Sequence, residues 1–304
     1  MPVWWSKNRQ KIFQLAGTIL AVVLLALLLK DGGWNEIISA FRRIKTSDLL
    51  WVAVLFAISR MAVTARWHVL LRSGGIDIRF KDSAALTFTG LFASNFLPST
   101  IGGDVVRLAG AMQMGYDRAV CLASIAADRL VGMLGMTMTL PIGLAYSWNL
   151  LQDPASLLSF GLFQKPFAFL KRTFSVFGLW LKKPASLVQS LAFSWIHMIC
   201  LFGAIYIFVD DLGTHVSFWM IAGLWSLTYF ITQIPIAING YGLQELSFTF
   251  FMSNVAGLTP AISLSVAVLL RAYFILSSLP GAFFLPSIMA AMVKQKEEIS
   301  SNEM

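Results

Sequence analysis

The chain has 304 residues, 57% of them hydrophobic and only 12% charged, with a mean hydropathy of +0.73. Soluble domains carry about 25% charged residues, so this composition excludes an ordinary soluble fold and points to the membrane class. The net charge of +8 lies mainly at segment ends, where cytoplasmic retention and anionic headgroups account for it. No nucleic-acid-binding motif accompanies it, so nucleic acid is not an expected partner.

In chain order, a first span is expected over Ile12–Leu29, behind Lys7, Arg9 and Lys11. Its apolar run is too long for a signal peptide and lacks a small-residue cleavage site. Trp34–Lys45 alternates apolar with basic residues and suits a helix lying in the headgroup region. A second span over Leu49–Leu71 contains Arg60, Arg66 and His68. An Arg at helix centre costs roughly 2.5–3.5 kcal/mol on insertion scales, so each must face the protein interior or snorkel outward.

Ala84–Leu97 is apolar but shorter than the roughly 20 residues that a crossing needs. It runs into Asn95-Phe-Leu-Pro98-Ser-Thr-Ile-Gly102-Gly103-Asp104-Val-Val-Arg107. Proline, paired glycines and charges cannot continue a lipid-facing helix, and irregular backbone at membrane depth survives only inside protein or beside a watery cavity. A re-entrant, down-and-back element over 84–114 is the economical reading. A third span follows over Ala119–Tyr146, with Asp128 and Arg129 adjacent. Neighbouring helix residues point about 100° apart, so each acid or base has room for its own partner across the bundle.

Trp148–Ala185, rich in Pro and Lys, reads as an interfacial linker, with a marginal span at Leu157–Phe177 as the alternative. Further spans are expected over Val188–Val209 and Phe218–Ile238. A second interruption, Asn239-Gly240-Tyr-Gly242-Leu-Gln-Glu245, then leads into a short apolar segment and a last span over Ala261–Val293 that carries Arg271. The expected units are a first membrane half (1–147), the linker (148–186), a second half (187–293, with a re-entrant motif over 239–255) and a polar tail (294–304).

The two interruptions introduce an internal similarity. Gly115, Ala119, Leu122 and Arg129 recur at the same offsets as Gly257, Ala261, Leu264 and Arg271. Small and apolar matches are cheap in membrane sequence, whereas an Arg at one depth in both is not. Three crossings per half would set the halves in opposite orientation, and inverted repeats with broken helices are a transporter architecture. The fold class expected is therefore an all-α polytopic membrane protein with about 6–8 membrane helices, two of them re-entrant or broken, in an inverted repeat.

The Asn95–Arg107 run, with Asp128-Arg129-Leu130 and Gly132 after it, resembles the transmembrane family of lysylphosphatidylglycerol synthetases, whose membrane part is flippase-like. Arg66-Trp67 and the Asn239–Glu245 motif fit the same resemblance, except that Gln244 stands where the family has Arg before the Glu. The resemblance implies a flippase-like membrane carrier in the bacterial inner membrane, but a substrate does not transfer across the family; the expected partner is an anionic phospholipid or a lipid-linked sugar. The family's soluble aminoacyl-transferase domain has no counterpart here.

The residues themselves suggest how such a carrier would work. Guanidinium forks bind phosphate bidentately, and glycine turns let backbone N–H groups approach a ligand. The candidate headgroup cavity thus comprises Arg60, Arg66, Asn95, Gly102, Gly103, Asp104, Arg107, Asp128, Arg129, Asn239, Gly240, Gly242, Glu245 and Arg271. The bland alternative makes Asp128–Arg129 and Glu245–Arg271 structural ion pairs. His68, His197 and His215 lack metal-ligand spacing, Cys121 and Cys200 lie apart in apolar segments, and no hydrolase or nucleotide-binding motif occurs. No cofactor or metal is expected. A non-catalytic partner of a lipid-biosynthesis enzyme and an integral-membrane transferase are the alternatives to a carrier.

Overall fold

The computed structural model describes residues 38–39, 42–97, 101–151, 183–234 and 238–286. The expected first span, half of the Trp34–Lys45 segment, Pro98, the body of the linker with its Leu157–Phe177 alternative, and the polar tail lie outside the described residues. Among the described residues the fold is all helix. Helix α1 spans Thr46–Ser73, α2 Phe80–Ser94, α3 Gly102–Gln113 and α4 Arg118–Tyr146. Helix α5 spans Pro184–Asp211, α6 Phe218–Thr232, α7 Leu243–Asn254 and α8 Pro260–Ser278, with a 3₁₀ extension over Leu279–Phe283. Four of these (α1, α4, α5 and α8 with its extension) are long and apolar enough to cross a membrane, as a polytopic membrane protein requires.

Local chemistry sets the boundaries. Asp117 caps α4 by accepting from the Val120 N–H at 2.8 Å, and Thr259 caps α8 from Ile262. Pro184 and Pro260 stand at helix starts, where their missing N–H costs nothing. Two expectations are corrected here. The span drawn to Ile238 stops at Thr232, because the chain breaks at Gln233 ahead of Pro235. The span drawn to Val293 is not continuously α-helical: Pro280 and Gly281 tighten Leu279–Phe283 into a 3₁₀ turn, and residues 287–293 lie outside the described residues.

The two interruptions are the tips of helical hairpins. Helix α3 folds back against α2 so closely that a Cβ on Gly103 would run into the Gly90 carbonyl and the Ser94 hydroxyl. Helix α7 returns along α6, with the Trp225 and Phe248 rings 5.8 Å apart. Its entry turn carries Asn239, Gly240 and Gly242 at φ of 47°, 70° and 75°. Such φ values are open to glycine and tolerable for Asn, and closed to most other residues.

Helices α1 and α5 run antiparallel along their whole length. Lys45, just before α1, donates its backbone N–H to Asp211 at the end of α5, at 2.7 Å, while Lys183, just before α5, donates through Nζ to the Ser73 carbonyl ending α1, at 2.6 Å. At the centre Ser59 Oγ and His197 Nδ1 are 2.7 Å apart, each the fourteenth residue of its helix. Around this pair, Trp67, Leu71, Leu86, Val106 and Ile125 form one core among α1–α4, and Phe202, Phe208, Trp225, Phe248 and Leu270 anchor a larger one among α5–α8.

The ends of the bundle follow from these contacts. Val120, opening α4, packs by Gly74, so α4 starts where α1 ends. It finishes with Gly143 against Gly223 near the start of α6. Tyr146 and Lys183 therefore stand at opposite ends of the bundle. Both native cysteines are buried, so cysteines placed at the exposed Asp77 and His215 report topology. In sealed vesicles, a membrane-impermeant maleimide is expected to label Asp77→Cys and His215→Cys from opposite faces.

Gly143 and Gly223 let two backbones touch, and a Cβ on either would strike the other strand of the contact. Overpacking of this kind costs about 1–3 kcal/mol or more. Gly223→Val is accordingly expected to lower the thermal unfolding midpoint in detergent by several degrees, against little change for Gly203→Ala on α5, where a Cβ meets only Leu55 at 3.5 Å.

Candidate functional site

Two basic and one acidic residue meet at the middle of the long helices. Asp128, 2% exposed on α4, receives Arg66 Nε from α1 at 2.7 Å on one oxygen. On its other oxygen it receives both Nη atoms of Arg107 from α3 at 3.2 Å. A carboxylate in so apolar a setting is tolerable because each oxygen holds a guanidinium donor. Arg107 also donates to Asp104 at 3.1 Å, and Asp104 takes Arg129 on its second oxygen. The polar trail thus runs from buried Asp128 to Arg129, whose side chain is 26% exposed.

The surroundings hold these side chains in place. The Arg107 guanidinium lies 4.0 Å from the Trp67 ring centroid, a cation–π contact, and Trp67 Nε1 donates to Ser124. Arg66 reaches Ser194 on α5 at 3.2 Å. Gly132 leaves room for that guanidinium, since a Cβ there would sit 3.0 Å from Arg66 Nη1. Gly90 and Gly103 do the same for the stem of Arg107 by letting α2 and α3 close up.

These groups face a cavity of about 270 Å³ built by α1 to α6. Of the residues expected to line a headgroup chamber, Arg66, Gly103, Asp104, Arg107, Asp128 and Arg129 do so. The others stand elsewhere. Arg60 turns towards α8, between the Phe56 and Phe274 rings, and donates to Ser277 at 2.8 Å, because its place on α1 faces away from Arg66. Gly102 packs on Leu97 at the hairpin tip. Asn95 bonds Ser278, and its carbonyl takes the Tyr241 hydroxyl at 3.3 Å, so the tips of the two hairpins touch outside the cavity.

The remaining candidates form a second, self-contained cluster. Glu245 accepts from Arg271 Nε at 2.6 Å and from the Gly242 N–H at 2.8 Å. Arg271 also stacks over Tyr241 and reaches the Gly240 carbonyl, while Asn239 shapes the turn. These bonds hold the entry of α7 and leave no lining role for Asn239, Gly240, Gly242, Glu245 or Arg271. Asp128 and Arg129 each have their own partner across the bundle, as adjacent helix positions allow: Asp128 takes Arg66 and Arg107, and Arg129 takes Asp104, so the alternative Asp128–Arg129 pair is not formed.

The cavity wall includes Thr87, Ser194, His197, Tyr229 and Gln233, which the sequence did not single out as site residues. Three of them come from α5 and α6 and reach the site by packing across the bundle, which no local pattern announces. Thr87 carried a faint signal, as a hydroxyl inside an apolar run one helical turn before Gly90. Chemically, the site offers three guanidiniums against two carboxylates in a half-enclosed space, so it suits an oxyanion. Among the described residues no group of His, Cys, Asp and Glu could hold a metal ion.

Removing Asp128 leaves two buried guanidiniums short of a counter-charge, and breaking a buried pair from one side costs on the order of 3–5 kcal/mol. Asp128→Asn is expected to lower the unfolding midpoint strongly. Adding Arg66→Met in the same chain should recover part of the loss, a coupling that thermal unfolding of the single and double variants measures.

Comparison with known proteins accords with this arrangement. The family model described as the lysylphosphatidylglycerol synthase TM region matches residues 14–170 and 155–281, and no curated protein matches the chain. With a match that takes in both hairpins and every helix around the cavity, the chain belongs to the lysylphosphatidylglycerol synthase transmembrane-region family.

Proposed function

We propose that this membrane protein is a non-enzymatic, flippase-like carrier that takes the phosphate of an anionic lipid into the Arg-lined cavity while the acyl tails stay in the bilayer. The observation that carries this reading is the Arg66–Asp128–Arg107 bridge on the cavity wall at mid-helix depth. Ionisable residues there are expensive, and a membrane protein that keeps them uses them for substrate or ions. The volume of about 270 Å³ suits a headgroup and not a whole lipid. With no lipid bound, Asp104 and Asp128 satisfy the guanidiniums.

An inverted repeat of α1–α4 and α5–α8 is the second part of the proposal. Its support is the matching of lengths and contacts: 28 residues for α1 and α5, 15 for α2 and α6, 12 for α3 and α7. The antiparallel pairing of α1 with α5 through their fourteenth residues is what a two-fold axis in the membrane plane would produce. The α4–α6 contact at Thr139 and Ser226 has its counterpart in Gly281 of the α8 extension against Phe88 of α2. On this reading the hairpins α2–α3 and α6–α7 are re-entrant from opposite faces. The basic residues before Ile12 favour a cytoplasmic amino terminus in a bacterial plasma membrane.

Proteoliposomes containing the full chain and a headgroup-labelled phosphatidylglycerol test the carrier reading. Leaflet redistribution is expected with the wild type and its loss, by tenfold or more in rate, with Arg107→Ala at unchanged folding. Redistribution that Arg107→Ala leaves intact overturns the reading, and recovery of a chemically altered lipid replaces the carrier with a transferase.

A further inference from the structure

The proposed repeat makes a residue-by-residue comparison of the halves possible, and the comparison divides the charged residues into two groups. One group is kept in both halves. Asp104 and Glu245 are each the third residue of a hairpin's return helix, and Arg129 and Arg271 are each the twelfth residue of the helix that follows. In each half the acid bonds the base. The same bond made twice ties each hairpin to its long helix.

The other group exists in the first half alone. The twenty-first residue is Arg66 on α1 and Ala204 on α5; the sixth is Arg107 on α3 and Phe248 on α7. Likewise the eleventh is Asp128 on α4 and Leu270 on α8, and the eighth is Thr87 on α2 and Trp225 on α6. Where the first half places its bridge and cavity, the second stacks the Trp225 and Phe248 rings within a core that also holds Leu270.

The cavity also holds two polar atoms with nothing to bond. Thr87 Oγ1, on a residue 1% exposed, and Arg107 Nε, on a residue 7% exposed, are buried on the cavity wall without a hydrogen-bond partner. Both Nη atoms of Arg107 are committed to carboxylates, so its Nε edge is what remains for a ligand. A buried donor left unmet is costly, and both atoms belong to residues that line the same cavity. Three guanidiniums against two carboxylates leave one positive charge on the wall. The missing group is an acceptor carrying about one negative charge.

We infer that, on the carrier reading above, ligand binding is confined to the first half: Arg107 Nε and Thr87 Oγ1 hold an oxygen of a singly charged phosphoryl group, with Arg66 and Asp128 fixing Arg107. The Asp104–Arg129 and Glu245–Arg271 pairs are braces common to both halves, and the second half's equivalent of the site is filled by Trp225 and Phe248. A phosphodiester headgroup matches this charge, whereas a diphosphate-linked sugar brings at least one negative charge too many.

The test uses the full chain in detergent, with fluorescent short-chain phosphatidylglycerol as the probe and thermal unfolding as the control. Thr87→Val removes the hydroxyl at constant shape, and Arg107→Lys keeps the charge but loses the Nε edge. Each is expected to weaken binding about tenfold, the scale of a hydrogen bond to a charged group, with the unfolding midpoint of Thr87→Val near the wild type and that of Arg107→Lys lowered by loss of the fork on Asp104 and Asp128. Glu245→Gln is expected to lower the midpoint and leave affinity unchanged. Inorganic phosphate should compete with the probe in the wild type and less well in Thr87→Val, and a polyprenyl diphosphate should compete no better than its tail requires.

Wild-type binding that Thr87→Val and Arg107→Lys do not weaken overturns the inference and leaves the carrier reading standing. Loss of affinity in Glu245→Gln at constant stability also overturns it. Binding that phosphate does not touch points to tail recognition and overturns the phosphoryl contact. No binding of the probe or of the diphosphate by folded wild type removes the carrier reading itself.

Discussion

Asp128 is the residue on which the arrangement of the first half depends. An unpaired carboxylate in the middle of a helix bundle would be strongly unfavourable, so its two oxygens must each find a cation. Those cations come from α1 and α3, which are separated from α4 in sequence by the hairpin and by a connecting turn. One buried charge therefore fixes the rotation of α1, the depth to which α3 returns, and the side of α4 that faces inward. Trp67 beneath Arg107 and Gly132 beside Arg66 are consequences of that demand, since a flat ring and a missing side chain accommodate the guanidiniums.

The second half meets the same backbone problem with different chemistry. Its long helices are held by aromatic and aliphatic packing, with Phe202, Phe208 and Phe251 buried almost completely. The hairpin α6–α7 is closed by ring contact between Trp225 and Phe248, where α2–α3 closes on glycine and leaves a space beside Arg107. A packed half and a polar half joined along α1 and α5 give the cavity one stiff wall. That wall supplies Ser194, His197 and Tyr229. Stiffness on one side is what lets a small ligand meet preset donors without ordering them at the moment of binding.

Much of this was legible in the sequence, for reasons that differ from residue to residue. The hairpins could be read from Pro98, Gly102–Gly103 and Asn239–Gly242, because backbone constraints are local. The matched depth of Arg129 and Arg271 could be read because equal spacing survives folding. The sequence also offered Glu245 as the partner of Arg271, but not Asp104 as that of Arg129, which lies 25 residues further on and on another helix. The helix end at Ile238 was overdrawn because apolar composition continues past the residues that bend the chain. The cavity's membership was hardest, since Arg60 and Arg66 look alike in sequence but lie about 120° apart around α1 and face different neighbours.

A buried charge can serve as a structural pin or as part of a binding site, and these roles leave different marks. A pin is tied down on every side: Glu245 has both oxygens occupied, and Arg271 is shared among a carboxylate, a carbonyl and a ring. A binding group keeps capacity in hand: Arg107 has its Nη atoms engaged and its Nε without a partner, on a residue that lines the cavity. Pin and site thus coexist on neighbouring turns of one helix, Asp104 and Arg107 being a single turn apart. That closeness explains why position in the sequence alone could not separate them, and why spare hydrogen-bonding capacity, and not charge, marks the atoms that meet a ligand.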